Sequence, residues 1–414
     1  MSDIYDVLIV GAGPAGMMAG ISAKKDSNNV LILEKNSSAG VKLLLTGKGR
    51  CNVTTTKEIN EIVEAFGSTG KFLYGSLSRF SNKDVMNFFE TRGVELKEER
   101  GQRVFPKTDK AKDILNCLLN ELKKSKVEIN YDVPVRSIKK ESGIFIVTSK
   151  NATFKTKNLI VATGGVSYPQ TGSSGDGYKF AKIFGHNVIT PIPALSPLIT
   201  NDKDVTTLSG LSLKNIEISF SSTNKVFVKE FGEMLFTHQG ISGPIVLKCA
   251  RLVYEHINVG EKVICRIDLK PKLDEKTLKN RIIKEINNEP KKEYRSLLTK
   301  LLPKSLVLYA ANQTQIDIHQ QSSTLVKEQI MSLIKFLKYF EINIEGVDSI
   351  KRAIVTHGGV DIREINPKTM RSKLIEGLYF AGEIICLDGP TGGINLTKAF
   401  STGFVAGTFA SLKT

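Results

Sequence analysis

The chain has no apolar run of the roughly 18 to 20 residues that spanning a bilayer requires, so a membrane-embedded protein is not expected. Cysteine is scarce: Cys51, Cys117, Cys249, Cys265 and Cys386 stand apart, with no CxxC spacing. That excludes a zinc-ribbon pattern and a disulfide framework, and it leaves reduced thiols, no metal site and a cytoplasmic location as the expectation. Cys51 has no partner cysteine nearby, so it is not half of a redox disulfide of the reductase type. Acids are outnumbered, 42 against 58 basic residues, for a formal charge of +16. Between Lys270 and Lys304 eleven basic residues face five acidic ones, with Tyr294 the one interleaved aromatic. Such a run reads as solvated helix surface, and a nucleic-acid partner is not expected from it. At 414 residues the chain is too long for one core, which points to two or three domains.

What is present is concentrated at the two ends. Ile4, Val7, Leu8, Ile9 and Val10 form a short apolar strand, and Gly11-Ala12-Gly13-Pro14-Ala15-Gly16 follows at once before a helix over Met17–Lys24. In this arrangement Gly11 permits the tight turn, Gly13 lets a diphosphate approach, and Gly16 lets helix pack on strand. The diphosphate rests on the helix N-terminus. A second strand, Val30–Leu33, ends in Glu34 and Lys35, and the Glu34 carboxylate is placed to accept from ribose hydroxyls. The segment is therefore a dinucleotide-binding unit. It is the one full glycine fingerprint in the chain, so a nicotinamide cofactor has no domain of its own and would dock transiently.

Other glycine turns follow. Thr46-Gly47-Lys48-Gly49-Arg50-Cys51-Asn52 is rich in donors, and local chemistry leaves cofactor contacts and a surface turn both open. Amphipathic helices are expected over 57–126, then strands at 127–131, 135–138 and 144–148, and a buried strand Leu159–Ala162 ends at Thr163-Gly164-Gly165. Prolines 191, 193 and 197 mark a boundary. Short alternating strands over 198–267 indicate a β-rich domain that contains the polar loop Thr237–Gly243 with His238, and the basic helical stretch comes next. Ile350–Val355 is expected as a strand leading into Thr356-His357-Gly358-Gly359. Near the end, Gly377–Glu383 reads as a strand running into Gly382 and Glu383, and Asp388-Gly389-Pro390-Thr391-Gly392-Gly393-Ile394-Asn395 opens a final helix. A helix start behind two glycines offers backbone donors to an electron-rich ring edge or a phosphate. Both ends thus serve one ligand. The fold class expected is α/β: a Rossmann-like domain, residues 1–191 and 351–414, split by an insertion. The insertion comprises a β-rich part (192–270 and 305–350) and a helical part (271–304, or to 340 if the pattern is followed to its end).

These segments resemble the bacterial flavoproteins that include aminoacetone oxidases and a bile-acid-pathway reductase, often described as NAD(P)/FAD-dependent oxidoreductases. The resemblance covers essentially the whole chain. Its specific marks are the 46–52 loop, Leu235–Pro244 and Asp388–Leu396. It implies an FAD domain with an inserted β-barrel-like domain and a helical subdomain. It also implies non-covalent FAD with Gly11, Gly13, Gly16 and Glu34 on the ADP half, Lys42, Gly49, Arg50, Cys51 and Asn52 along diphosphate and ring, and Val135 near adenine. Gly382, Glu383, Gly393, Ile394 and Asn395 would sit near ribityl and isoalloxazine. The chain departs from the family where Ile394 replaces a more usual tyrosine and where Met370-Arg371-Ser372-Lys373 replaces Met-Glu-Ser-Lys. The expected activity is hydride transfer between a small organic substrate and flavin N5, with NAD(P)H as a further donor. An O2-using amine oxidase and a flavin-bearing nucleic-acid-associated or redox-sensing protein are the alternatives. His238 and His357 are the candidate general acid/base groups, because imidazole titrates near neutral pH, and each has a purely structural alternative. Substrate identity and oligomeric state are not encoded in any motif.

Overall fold

The computed structural model describes residues 4–26 and 29–412. The chain divides into two compact units, Met1–Ile192 with Ile350–Thr414, and Pro193–Ser349.

The first unit is built on a seven-stranded sheet. Its centre is Ile4–Val10, parallel to Val30–Leu33 on one side and to Thr153–Val161 on the other. Val7, Leu8 and Ile9 are fully buried, as a strand covered on both faces requires. Glu128–Asn130 extends the parallel part beyond Val30–Leu33. The strand Thr153–Val161 changes partners along its length. Its first half pairs antiparallel with Ile144–Thr148, and its second half pairs parallel with Leu378–Phe380. That switch brings the last part of the chain into the sheet beside the first. The helices Pro14–Ala23 and Ile394–Ser411 then pack against each other. A Cβ on Gly403 would lie 2.2 Å from the Ala15 carbonyl oxygen, and one on Gly407 would lie 2.1 Å from that of Ala19, so only glycine permits this approach.

The second unit carries a seven-stranded antiparallel sheet with edge strands Phe340–Ile344 and Gly346–Val347. Those edges are separated by Glu345 alone, so the sheet must curl until its first and last strands meet. The helix Pro244–Asn258 starts with proline, which tolerates the missing N–H at a helix start. Helices also occupy Glu275–Asn288, Tyr294–Leu301, Lys304–Thr314 and Lys327–Lys338. The helical part thus runs to Lys338, which removes most of 305–350 from the β-rich part. Leu306, Val307, Ala310, Ala311 and Thr314 recur at helical spacing on one buried face, and that face is the reason.

Two expected strands are displaced. Ile350–Val355 is largely turn, and the strand is Val355–Val360. Gly358 and Gly359 lie inside it, because a Cβ at Gly359 would come 2.3 Å from the Ile384 carbonyl oxygen: these glycines serve close approach, not a turn. The strand expected at 135–138 is Ser137–Glu141.

Candidate functional site

The glycine fingerprint divides its labour as its spacing demands. Gly11 has φ +104°, and a Cβ there would stand 2.6 Å from the Ala162 carbonyl oxygen; one on Gly16 would stand 1.9 Å from that of Gly11. A Cβ on Gly13 would meet nothing within 4 Å. The turn is therefore packed where helix meets strand and open where a ligand arrives. The helix behind it has no side-chain cap and no acid in its first turn, so its N–H groups and positive dipole end face the opening unopposed. Pro14 at the first helical position removes no needed donor, and Ala15 is buried. Glu34 is buried, and its carboxylate accepts from the Ala12 N–H at 2.8 Å and the Asn36 N–H at 2.9 Å. Each oxygen keeps acceptor capacity for a ribose hydroxyl. The backbone N–H groups of Asp132 and Val133 bond the carbonyls of Asn36 and Glu34, which draws the segment bearing Val135 alongside. Lys35 is turned to Asp176 at 3.0 Å.

A second cluster assembles from four distant stretches. The Lys42 ammonium, on the short helix Val41–Leu45, donates to Glu383 Oε2 and to Ser167 Oγ, both at 2.7 Å. Glu383 Oε1 also accepts from the Thr356 N–H at 3.0 Å and from Ser167 Oγ at 3.1 Å. Burial pushes the Glu383 carboxyl up, but Lys42, the Thr356 N–H and Lys398 together hold it below the usual range. Gly165 packs on this knot, since a Cβ there would come 2.5 Å from Thr356 Oγ1. Gly164 has φ +76°, and the Thr163 hydroxyl beside it is buried without a protein partner. His357 Nδ1 lies 2.5 Å from Asp388 Oδ1. A carboxylate there holds the proton on Nδ1 and leaves Nε2 as the ring's other functional atom. Cys386 is the half-buried cysteine of the five, and burial together with Asp388 pushes its thiol up.

The 46–52 loop is strained backbone. Gly47, Lys48, Gly49 and Cys51 all have positive φ, and Gly49 faces open space. Two side chains of this loop are taken up within the protein. Arg50 is not free for a phosphate: its guanidinium is clamped by Glu99 and by Asp109 (Nε to Oδ1, 2.8 Å) and stacks 4.3 Å from the Phe105 ring centroid. Cys51 is fully buried, and burial pushes its thiol up to about 12, so it holds no thiolate at neutral pH. Asn52 joins this loop to the last helix, its side-chain oxygen accepting from the Gly393 N–H at 2.9 Å and its nitrogen donating to the Thr54 and Val104 carbonyls. Thr46 is engaged locally, its hydroxyl donating to the Leu43 carbonyl.

At the start of Ile394–Ser411, Gly393 has φ +89°, and a Cβ there would strike the Thr54 carbonyl oxygen at 2.2 Å. Gly392 has φ +115° with open space around it. No side chain caps the helix. Because Asn52 takes the Gly393 N–H, the donors left for a ligand begin at Ile394 and Asn395. The Asn395 side chain clasps the loop, bonding the Gly389 N–H at 2.9 Å and the Gly389 carbonyl at 2.7 Å. Ile394 is 2% exposed, so its side chain belongs to the core and not to a ring contact. Gly382 has φ +80°, and its N–H donates to Thr402 Oγ1.

The structure adds Ser167, Thr356 and Lys398 to the candidate site, and sequence reasoning had singled out none of them. Lys398 had a signal: it is the one charged residue in the helix Ile394–Ser411. His238 stands on the exposed turn between the strands Lys225–Thr237 and Gly240–Ser242.

Two uncapped helix starts, an open Gly13 and Gly392, and an acid at the second strand end fit a long dinucleotide with phosphate at one end and a polar ring at the other. A family model for the HI0933-like protein Rossmann domain matches residues 5–409. The chain is 30% identical to a 3-dehydro-bile acid delta(4,6)-reductase of Clostridium scindens, over 97% of this chain and 98% of that protein. It is 32% identical to a ribosomal RNA dihydrouridine synthase of Haemophilus influenzae, over 98% of each. A synthase of the same name from Escherichia coli is 30% identical over 97% of this chain and 96% of its own length. The fold is shared with a 3-ketosteroid-delta4-(5alpha)-dehydrogenase from Rhodococcus jostii RHA1, at 14% identity and TM-score 0.54, covering 100% of this chain and 98% of that one. The chain belongs to the HI0933-like Rossmann family of FAD-dependent oxidoreductases.

Proposed function

We propose that the protein is a flavin-dependent reductase that saturates a carbon–carbon double bond conjugated to a carbonyl, and that its substrate is a uridine of ribosomal RNA. The observation that carries the reaction is the chemistry shared by the names of its full-length relatives. A delta(4,6)-reductase acting on a 3-oxo steroid acid and a dihydrouridine synthase both remove such a double bond, in uracil the one between C5 and C6. RNA as substrate is supported by the two synthases and by the formal charge of +16, which suits a polyanion and which sequence reading had set aside as solvated surface.

Bound FAD, once reduced by transiently docking NAD(P)H, would supply the hydride to the carbon β to the carbonyl. The chain supplies the rest. Gly13 and the start of Pro14–Ala23 receive the diphosphate, Glu34 the adenosine ribose, and the Ile394 and Asn395 N–H groups the ring's pyrimidine edge. A proton must reach the neighbouring carbon, uracil C5, to complete the two-electron reduction. We assign it to Nε2 of His357, with Asp388 as the residue that positions the ring.

A second reading, a cyclic enone of steroid type, is favoured by the 30% identity to the bile-acid reductase. The same groups would serve it. The test is anaerobic: reduced holoprotein is mixed with unmodified ribosomal RNA made in vitro or with a 3-oxo-4,6-diene steroid acid, and flavin reoxidation is followed together with product mass. Dihydrouridine in the digested RNA is the expected result. Reduction of the steroid alone would remove RNA and keep the reaction; reoxidation by neither would remove the reaction. Oxygen consumption with aminoacetone in a separate aerobic assay would favour the oxidase alternative.

A further inference from the structure

Lys398 is 2% exposed inside an otherwise uncharged helix. A buried ammonium is expensive unless opposite charges and hydrogen bonds answer it. Its side chain runs back toward the helix N-terminus, as helical side chains do, and Nζ donates to the Leu387 carbonyl at 2.5 Å, immediately before Asp388. Burial, with Lys42, pulls its pKa below that of an ordinary lysine, and Glu383, Asp388 and Cys386 offset part of that fall. The two carboxylates have other partners, Glu383 in Lys42 at 2.7 Å and Asp388 in His357 at 2.5 Å. The knot therefore holds two lysines, two carboxylates and one histidine.

Clamping the loop does not explain a lysine. Asn395 already bonds the Gly389 N–H, the Gly389 carbonyl and the Pro390 carbonyl. A neutral donor would serve the Leu387 carbonyl as well. What lysine adds is charge, placed behind a helix start that no side chain caps.

We infer that Lys398 poises the bound flavin: its buried positive charge adds to the uncapped start of Ile394–Ser411 and stabilises negative charge on the ring edge received there, so the oxidised ring becomes a stronger electron acceptor. This rests on FAD occupying the site as proposed above. Lys398 acts through the field and touches no reacting atom, so its signature is a property of the flavin and not of turnover.

The probe is sodium sulfite, which adds to the oxidised ring and leaves negative charge at the pyrimidine edge; holoprotein is titrated and followed by absorbance. Lys398→Gln is expected to keep FAD and to bind sulfite about 30-fold more weakly, the scale for one removed charge in a partly screened site. Lys398→Arg should stay within about threefold of the parent protein, because it keeps the charge. Asp388→Asn removes an opposing charge and should tighten sulfite binding. Opposite signs for the Gln and Asn substitutions are the electrostatic mark, since a packing defect at either residue would loosen both. Unchanged sulfite affinity in Lys398→Gln with FAD retained would overturn the inference. So would failure of both Lys398→Gln and Lys398→Met to fold, which would assign the lysine to packing. If the parent protein takes up no FAD, it is the functional reading that fails, visible before any variant is made.

Discussion

Gly13→Ala and Gly16→Ala are the same chemical change three residues apart, and they should do opposite things. At Gly16 the new methyl would sit 1.9 Å from the Gly11 carbonyl oxygen, and backbone cannot step aside as a side chain can. Overpacking of this kind costs about 1–3 kcal/mol, and the upper end applies because both atoms belong to rigid elements. The alanine regains up to about 1 kcal/mol of helix propensity. A net loss of about 2 kcal/mol lowers Tm by roughly 4–8 °C for a unit of this size. At Gly13 the backbone is extended, φ −78° and ψ −178°, which alanine adopts freely, and its methyl meets no protein atom within 4 Å. The apoprotein should keep its Tm to within about 2 °C, since the entropy gained in the unfolded chain roughly offsets the poorer cap. The methyl instead takes the diphosphate's place. Charge-assisted hydrogen bonds contribute about 1.5–3 kcal/mol each, so displacing one or two should weaken FAD binding about 100-fold or more. Thermal unfolding of the apoproteins and an FAD titration read by flavin fluorescence separate the two variants. Gly13→Ala binding FAD within threefold of the parent, or unfolding like Gly16→Ala, would refute the reasoning.

Lys42→Met should leave the Glu383 carboxylate without its cation and cost about 1–2 kcal/mol, discounted because both side chains keep some solvent, and adding Glu383→Gln should recover part of that loss; a thermal double-mutant cycle measures it. Glu383 is held below the usual carboxyl range, so its share of stability is present above pH about 4.5 and is lost as pH falls through its folded value; Glu383→Gln should flatten the acid limb of a Tm–pH curve. His186 is buried between Glu364 at 2.9 Å and Ser372 at 2.8 Å, and burial holds its pKa low. Its contribution is therefore full above pH about 6.5 and lost on acidification below it, and His186→Gln should remove that part of the slope in urea titrations run at several pH values. His357→Gln should retain FAD and slow substrate-driven reoxidation roughly 100-fold in stopped flow; an unchanged rate would remove the proton from its assigned carrier. His238→Ala, on an exposed turn, should leave Tm and FAD content unchanged, and a loss of several degrees in a melting scan would expose a structural role.

What was legible in the sequence was whatever a local pattern encodes. The run Ile4–Val10, the three glycines after it and Glu34 at the end of the next strand specify strand, turn and helix from neighbours in the chain, and the structure sets Gly11 and Gly16 against backbone and leaves Gly13 in open space. The partners of side chains were not legible, because they come from far away. Lys42 meets Glu383 across 341 positions, and Asn52 meets Gly393 at a distance in sequence that no window spans. The resemblance puts Arg50 along the diphosphate, yet Glu99, at the end of the strand Leu96–Glu99, and Asp109, three residues past the strand Arg103–Pro106, hold its guanidinium. The strand expected at Ile350–Val355 lies at Val355–Val360 because Gly358 and Gly359 let it approach the Thr190 and Ile384 carbonyls, which no local pattern records.

The second unit's sheet begins and ends within itself: Leu198 pairs with Val347, and Ile199 with Gly346. To the first unit, a 157-residue excursion from Pro193 to Ser349 therefore presents two ends already side by side. If the excursion folds first, the halves of the nucleotide unit are tethered by a few residues instead of by an open loop. Loop-closure entropy scales with the logarithm of length, so the shortening is worth about 3 kcal/mol toward bringing together the residues that flank the excursion, Ile192 and Ile350. The insertion would then act as an internal folding clamp, and a variant with a destabilised second unit should assemble its cofactor site more slowly even where no residue of that site is altered.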